Sequence, residues 1–243
     1  NLNIKDAGDK AAGTKPIAAW FTATTTNIKY ENPGSTINDF DRQQLLISQF
    51  SYNSPCMTKY DLNNDGLEDI LIGGAAGQAT SIFLQQKNGS FLQKNTPNFD
   101  QDKIFEDASI AVFDANGDDK PDIYIGSGGY HNLNPKDSIL QDRLYINDGN
   151  ANFIKKNGLP ELLASKSCVR VQDINGDSAP DLFVGGRVIP GRYPETPHSF
   201  ILINDGKGNF SDQTQKICPA ISNIGMITDA AWVDLDLDKQ NEL

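Results

Sequence analysis

The sequence predicts an all-β fold, a β-propeller of four-stranded blades, with three complete repeats and the start of a fourth. Three observations carry this. An acidic loop of one spacing recurs, starting at Asp61, Asp114, Asp173 and, in degraded form, Asp234, at intervals of 53, 59 and 61 residues. Alternating apolar runs precede the later loops: "SIAVFD" from Ser109, "CVRVQD" from Cys168 and "DAAWVD" from Asp229. A second motif follows each of the first three loops, as "SIFLQQKNGSF", "RLYINDGNANF" and "FILINDGKGNF". It is an apolar run, a turn rich in Asn, Asp and Gly, and a Phe (Phe91, Phe153, Phe210) opening another run, the signature of a β-hairpin. Each unit therefore reads strand, acidic loop, strand, connection, strand, turn, strand, which is the pattern of a propeller blade.

Taken in order, residues 1–50 form an N-terminal segment in which "AAWFTATTTNIKY" (Ala18 to Tyr30) alternates apolar residues with Thr. It predicts an extra strand that completes the last blade. The blades are expected at 51–104, 105–164 and 165–225, with a partial one at 226–243. "ELLASK" from Glu161 predicts a turn or two of helix. The connection after the second strand varies most, as "GSGGYHNLNPKDSILQD" and "GGRVIPGRYPETPHS". Variable insertions of this kind gather on one face of a repeat protein, often the binding face. Tyr130, Arg187, Arg192 and Tyr193 are the candidate binding surface there, packing against neighbouring blades being the competing reading. His131 and His198 read as solvated or hydrogen-bonded loop residues, and Trp20 and Trp232 as core residues.

The chain has 243 residues, 21 of them Gly and 12 Pro, with 38% hydrophobic and 22% charged residues, as expected of a turn-rich globular chain. A net charge of −11 repels nucleic-acid phosphate and argues against DNA or RNA as a partner. No stretch approaches the roughly 18 apolar residues of a membrane helix. The Asn at position 1 and the absence of a charged-then-apolar leader fit a processed secreted protein or an excised piece. The stop at Leu243, where the other copies begin a second strand, fits a chain that continues. Cys56, Cys168 and Cys218 make no disulfide framework; one bridge plus a thiol, or three thiols, both fit, and Cys56 and Cys168 read as small buried hydrophobes.

The acidic loops place oxygen donors at positions 1, 3, 5 and 9: Asp61, Asn63, Asp65 and Asp69; Asp114, Asn116, Asp118 and Asp122; Asp173, Asn175, Asp177 and Asp181. Position 7 (Leu67, Lys120, Ala179) supplies a backbone carbonyl. So many hard oxygens suit Ca²⁺, which takes six to eight of them. The lack of His or Cys argues against Zn²⁺. An EF-hand would need a Glu at position 12 and flanking helices, but Ile72, Ile125 and Val184 stand there within β-type runs. A polar turn without metal is the rival; unpaired carboxylates crowded three times at the same offsets speak against it. The fourth loop has Asp234, Asp236 and Asp238, with Gln240 at position 7, but Lys239 at position 6 and Glu242 at position 9. It is expected to bind weakest or not at all.

On "DLNNDGLEDILIGG", "DANGDDKPDIYIGSGG", "DINGDSAPDLFVGG" and the "LYINDGNANF" hairpins, the units resemble FG-GAP/VCBS repeats, as in integrin α-subunit propellers and many bacterial surface proteins. The segments "DFDRQQLLISQFS", "GGRVIPGRYPETPHSFILINDG" and "IGMITDAAWVDLD" resemble secreted Bacteroidetes VCBS-repeat proteins of the ASPIC/UnbV-associated group. The likeness runs from about Asn38 onward and is weaker over the first ~35 residues. It implies a calcium-bearing propeller, usually seven-bladed, of which this chain is a part. It also implies export to the cell surface or the exterior of a bacterial outer membrane, and calcium ligands at the loop positions named above.

No G-x-S-x-G elbow, H-E-x-x-H or P-loop is present, and the repeated carboxylates are committed to metal. The function expected is a non-enzymatic scaffold for protein recognition at the cell envelope. The alternatives are a glycan-binding module and a propeller-based polysaccharide-active enzyme such as a lyase.

Overall fold

A computed structural model describes residues 26–32, 36–52 and 55–243. Among the described residues, twelve strands make three antiparallel sheets of four, each running in sequence order. The first sheet holds β1 (Met57–Tyr60), β2 (Asp69–Ile72), β3 (Ser81–Gln85) and β4 (Phe91–Lys94). The second holds β5 (Asp107–Phe113), β6 (Asp122–Ser127), β7 (Arg143–Asn147) and β8 (Phe153–Lys156). The third holds β9 (Ser165–Gln172), β10 (Asp181–Val188), β11 (Phe200–Asn204) and β12 (Phe210–Asp212). Helices are short: α1 (Asp39–Arg42), α2 (Pro97–Gln101) and α3 (Thr214–Ile217). In a meander of four strands the 1–2 and 3–4 turns share one end and the remaining connections the other. The acidic loops and hairpin turns therefore lie on one face, and the long variable connections on the opposite face.

Second strands are sandwiched, which explains their unbroken apolar runs. All six residues of β6 are buried. Its alternation still sorts side chains between two seams: Ile123 and Ile125 join Leu71 and Ile82 of the first sheet and Leu62 of its acidic loop, and Tyr124 joins Leu182, Val184 and Leu202 of the third sheet. In β10, Leu182 and Val184 face the second sheet, while Phe183 packs with Ile201, Ile221 and Trp232. The core is thus a row of seams between blades. The Gly pairs that follow β2 (Gly73–Gly74) and lie within β10 (Gly185–Gly186) are steric necessities. A Cβ on Gly74 would lie 1.9 Å from the Gln78 carbonyl oxygen, and one on Gly186 2.2 Å from that of His198.

One hydrogen bond repeats at both seams. The Asn147 amide at the end of β7 donates to the Leu62 carbonyl (2.8 Å), and Asn204 at the end of β11 donates to that of Ala115 (2.9 Å). Leu62, Ala115, Asn147 and Asn204 are all buried, so losing the donor strands a buried acceptor. Asn204→Ala is expected to cost about 1–3 kcal/mol, roughly 2–12 °C in melting temperature. Thermal melts of Asn204→Ala and Asn147→Ala check this; unchanged melting in both would show the bond to be inert.

Residues 39–52 form a cap over the variable connections. The buried Asp39 carboxylate accepts from the backbone N–H groups of Phe50 (2.7 Å) and Ser51 (2.8 Å). Arg42 donates to the carbonyls of Tyr130 and Leu133. Gln43 bonds the Tyr130 hydroxyl and both the N–H and the carbonyl of Tyr193. Phe50 packs on Tyr130 and Tyr193, with ring centroids 5.4 and 6.0 Å away, and the Arg187 guanidinium lies over its ring, 5.2 Å from the centroid. This corrects the expected binding surface. Tyr130 is 1% exposed and Tyr193 and Arg187 are half-buried, because the chain's own N-terminal segment covers them; Arg192 stays exposed.

Three further expectations meet the structure. Glu161–Ala164 form no helix, and Ser165 and Lys166 already belong to β9; the strand wins because its residues fill the seam. Of the expected N-terminal strand, 18–25 and Trp20 lie outside the described residues, and 26–30 are not strand, although Asn27 accepts from the Phe91 N–H at 2.8 Å. All three cysteines are free thiols, Cys168 buried and Cys56 and Cys218 half-buried. Burial, with the Asp107 carboxylate nearby, pushes the Cys56 thiol up to about 12.

Candidate functional site

Each of the first three acidic loops joins two strands, β1 to β2, β5 to β6 and β9 to β10, with no helix on either side. All four loops follow one backbone path. Position 4 has positive φ in each (Asn64 57°, Gly117 76°, Gly176 80°, Leu237 65°), and so has position 6 (Gly66 83°, Asp119 61°, Ser178 72°, Lys239 71°). Two left-handed residues are needed, and the sequence puts Gly at one of them in the first three loops and at neither in the fourth. Leu237 and Lys239 therefore both carry strain, at roughly 1–2 kcal/mol for each residue. Leu237→Gly is expected to raise thermal stability, read as a higher melting temperature; a lower one would contradict the strain.

The carboxylates hold this path through Asx-type bonds. The position 1 Asp accepts from the position 6 N–H at 2.7–3.0 Å in all four loops. The position 3 oxygen accepts from the position 5 N–H at 2.9–3.2 Å. The position 5 Asp accepts from the position 7 N–H at 2.7–3.1 Å.

Position 9 behaves differently. Asp69, Asp122 and Asp181 are fully buried. One oxygen of each accepts from the position 2 N–H (Leu62, Ala115, Ile174) at 2.9–3.0 Å. The other accepts from the last residues of the third strand (Gln85, Asn147, Asn204) at 2.8 Å. This carboxylate ties loop, second strand and third strand together, a role its spacing did not disclose. Burial pushes all three up, opposed by those backbone bonds and assisted by neighbouring loop Asp carboxylates. Asp122 reaches about 6.

The fourth loop keeps the pattern despite its departures. Glu242 accepts from the Leu235 N–H at 2.7 Å, as Asp69 does from Leu62, and Val233 and Glu242 pair as a β-bridge. Among the described residues, one set of three His, Cys or acidic side chains brings ligand atoms within 4.8 Å of one another: Asp234, Asp236 and Glu242. The third carboxylate arises because Asp236 stands where the other loops have Asn. The Asp234 Oδ1 atom is buried without a hydrogen-bond partner.

The whole sequence-derived set thus falls in four equivalent loops: Asp61, Asn63, Asp65, Leu67 and Asp69; Asp114, Asn116, Asp118, Lys120 and Asp122; Asp173, Asn175, Asp177, Ala179 and Asp181; and Asp234, Asp236, Asp238, Gln240 and Glu242. Oxygen-only donors and crowded like charges, with an orphaned carboxylate oxygen in the fourth loop, fit a hard divalent cation, although in the second loop the Lys120 ammonium lies 3.3 Å from Asp118.

The family model for the FG-GAP-like repeat matches residues 61–125 and 173–243, more than half of the chain, each match opening on a loop Asp. The chain belongs to the FG-GAP-like repeat family. A solved structure of an Agrocybe aegerita lectin, described as showing specific recognition of non-reducing terminal N-acetylglucosamine, is similar to this FG-GAP-like chain at 23% identity. The match covers 66% of this chain and 37% of that one, with a TM-score of 0.44, so the FG-GAP-like chain spans well under half of the other's length. No curated protein matches.

Proposed function

We propose that this FG-GAP-like chain is a calcium-binding recognition module, part of a seven-bladed propeller, that acts as a non-enzymatic scaffold in a secreted or cell-surface protein. It would meet a protein partner at the cell envelope, on the exterior of a bacterial outer membrane as in the Bacteroidetes group it resembles. The observation that carries the reading is the fourfold repetition of one loop geometry lined by oxygen donors alone. The residues at positions 1, 3, 5 and 9, with the position 7 carbonyl, would hold Ca²⁺. The ion would supply charge neutralisation, and the loop residues would use it to clip the end of each first strand to the start of the second. No helix among the described residues is long and apolar enough to cross a membrane.

Calorimetric titration of the chelator-treated chain with Ca²⁺ tests this. Three or four bound ions are expected, one fewer for Asp65→Ala, and no binding at millimolar Ca²⁺ would end the metal reading. Pull-down from the source cell envelope with and without chelator then tests whether the ions organise the partner surface. Glycan binding is a second reading, and one observation favours it: a cavity on the face opposite the acidic loops.

A further inference from the structure

We infer that this cavity, between the second and third blades, is a binding site for a single saccharide ring. The inference rests on the recognition-module reading and names a ligand class for it, but it does not depend on calcium.

The cavity measures about 380 Å³, at the small end of ligand pockets, which run roughly 300–1,000 Å³. It is built in part from the segments that vary most between repeats: Lys136 from the β6–β7 connection, and Pro190, Arg192 and His198 from the β10–β11 connection. Its walls are apolar, with Leu163, Pro190 and Phe200. Its rim is polar and of mixed sign. Lys136 and Glu161 both line it, and neither enters an ion pair or hydrogen bond among the described residues, although both are exposed. The Lys136 backbone is held at φ 63°, a left-handed conformation unusual for a residue with a side chain. His198 is fixed by a 2.6 Å hydrogen bond between its Nδ1 and the Ser222 hydroxyl, and its ring lies nearly parallel to Phe200, 29° apart at 6.2 Å. Ser222 is itself buried and lines the same cavity, so the pair holds the imidazole in place at the cavity wall.

This lining selects by exclusion. Cations (Lys136, Arg192) and carboxylates (Glu161, Asp212) line it together, so neither an anion nor an ammonium group meets a rim of one sign. A hydrocarbon would cover Lys136 and Glu161 and leave them without partners, Arg192 being already paired with Glu195 at 3.5 Å. A pyranose satisfies all three constraints: its hydroxyls both donate and accept, meeting cations and a carboxylate at once, and its C–H face is apolar enough for Phe200 and Pro190.

The test uses the whole chain with Ca²⁺ present. Saturation-transfer NMR and calorimetry are run with the methyl glycosides of glucose, galactose, mannose and N-acetylglucosamine. At least one is expected to bind, with a dissociation constant on the order of 1 mM. Glu161→Gln and Lys136→Gln should each weaken it about tenfold or more with melting temperature unchanged, and Lys59→Gln, on the first blade, should not. Absence of transfer from every glycoside, or binding indifferent to both rim variants, would overturn the inference, as would an apolar peptide occupying the cavity in preference to any sugar. Calcium binding without sugar binding sinks this proposal alone, and sugar binding without calcium sinks the metal reading alone.

Discussion

Ca²⁺ added to the chelator-treated protein is expected to raise its melting temperature by roughly 5–10 °C for each loop that fills. A ligand present at about 100 times its dissociation constant stabilises by about 2.7 kcal/mol, and about 1 kcal/mol moves a domain of this size by roughly 2–4 °C. The size of the effect follows from what the loops contain without the ion. Asp61 and Asp65 sit four residues apart in an exposed turn, and their carboxylates accept only backbone N–H groups and an Asn amide. Asp69 lies behind them, pushed up by burial and by those two neighbours. A divalent cation bound there would convert this repulsion into attraction. Mg²⁺ should do less at equal concentration, because it keeps more of its water. Thermal melts in EGTA, Ca²⁺ and Mg²⁺ check the expectation, and identical curves in all three would remove calcium from the account. Asp65→Ala and Asp238→Ala rank the loops. From sequence Asp65→Ala should cost more of the Ca²⁺-dependent stability. The convergence of Asp234, Asp236 and Glu242 makes the fourth loop a real competitor, so the two variants measured side by side decide the order.

Lys166→Ala is expected to be among the most damaging single substitutions, at about 3–5 kcal/mol, or roughly 6–20 °C. Lys166 and Asp142 are 2.8 Å apart and both side chains are fully buried. Lys166 comes from β9, while Asp142 directly precedes β7, so the pair crosses the seam between the second and third blades. The ammonium also donates to the carbonyls of Leu140 and Leu162. The carboxylate accepts from the Tyr124 hydroxyl and the Ser127 N–H, both at 2.8 Å. Every polar atom is placed, so truncating the lysine leaves a buried carboxylate with no counter-charge. Burial raises Asp142, and Lys166 is the main influence holding it down. Without the lysine its folded-state value rises further. A carboxylate raised on folding stabilises the protein only while protonated, so its contribution is lost as pH climbs from the unfolded value near 4 toward the folded one. The deficit of Lys166→Ala should therefore be smallest in acid and grow toward neutral pH. Denaturation at several pH values, with Lys166→Ala/Asp142→Ala closing a double-mutant cycle, measures it; a deficit independent of pH would rule the mechanism out.

Neither buried pair was visible in the sequence. Lys166 occupies the repeat position held by Asp107 in the second unit, so the same slot carries opposite charges. Asp107 instead pairs with Arg143 at 2.6 Å and accepts from the Gly74 N–H and the Thr80 hydroxyl. Charge at this slot follows what the neighbouring connection offers, and that is a matter of three dimensions. The acidic loops were legible for the opposite reason. Their donors lie within nine residues, and a turn at that range dictates its own hydrogen bonds. Even so, spacing alone assigned position 9 to metal, while the structure shows Asp69, Asp122 and Asp181 also bracing the third strand. The surface assignment misled at Tyr130 and Tyr193 because variable, aromatic connections read as exposed until the cap that covers them is seen.

By itself the sequence determined the strands of the three complete sheets, their order within each sheet, and the four loops, since alternation, turn chemistry and Asx spacing act over a handful of residues; the runs at 26–30 and 229–233 form no strand. Tertiary structure alone decided which faces meet: the seams stapled by Asn147 and Asn204 over 85 and 89 residues of chain, the cap on Tyr130, the Lys166–Asp142 pair and the cavity beside Phe200. Those contacts depend on the angle at which successive sheets pack, and no local pattern of side chains encodes that angle.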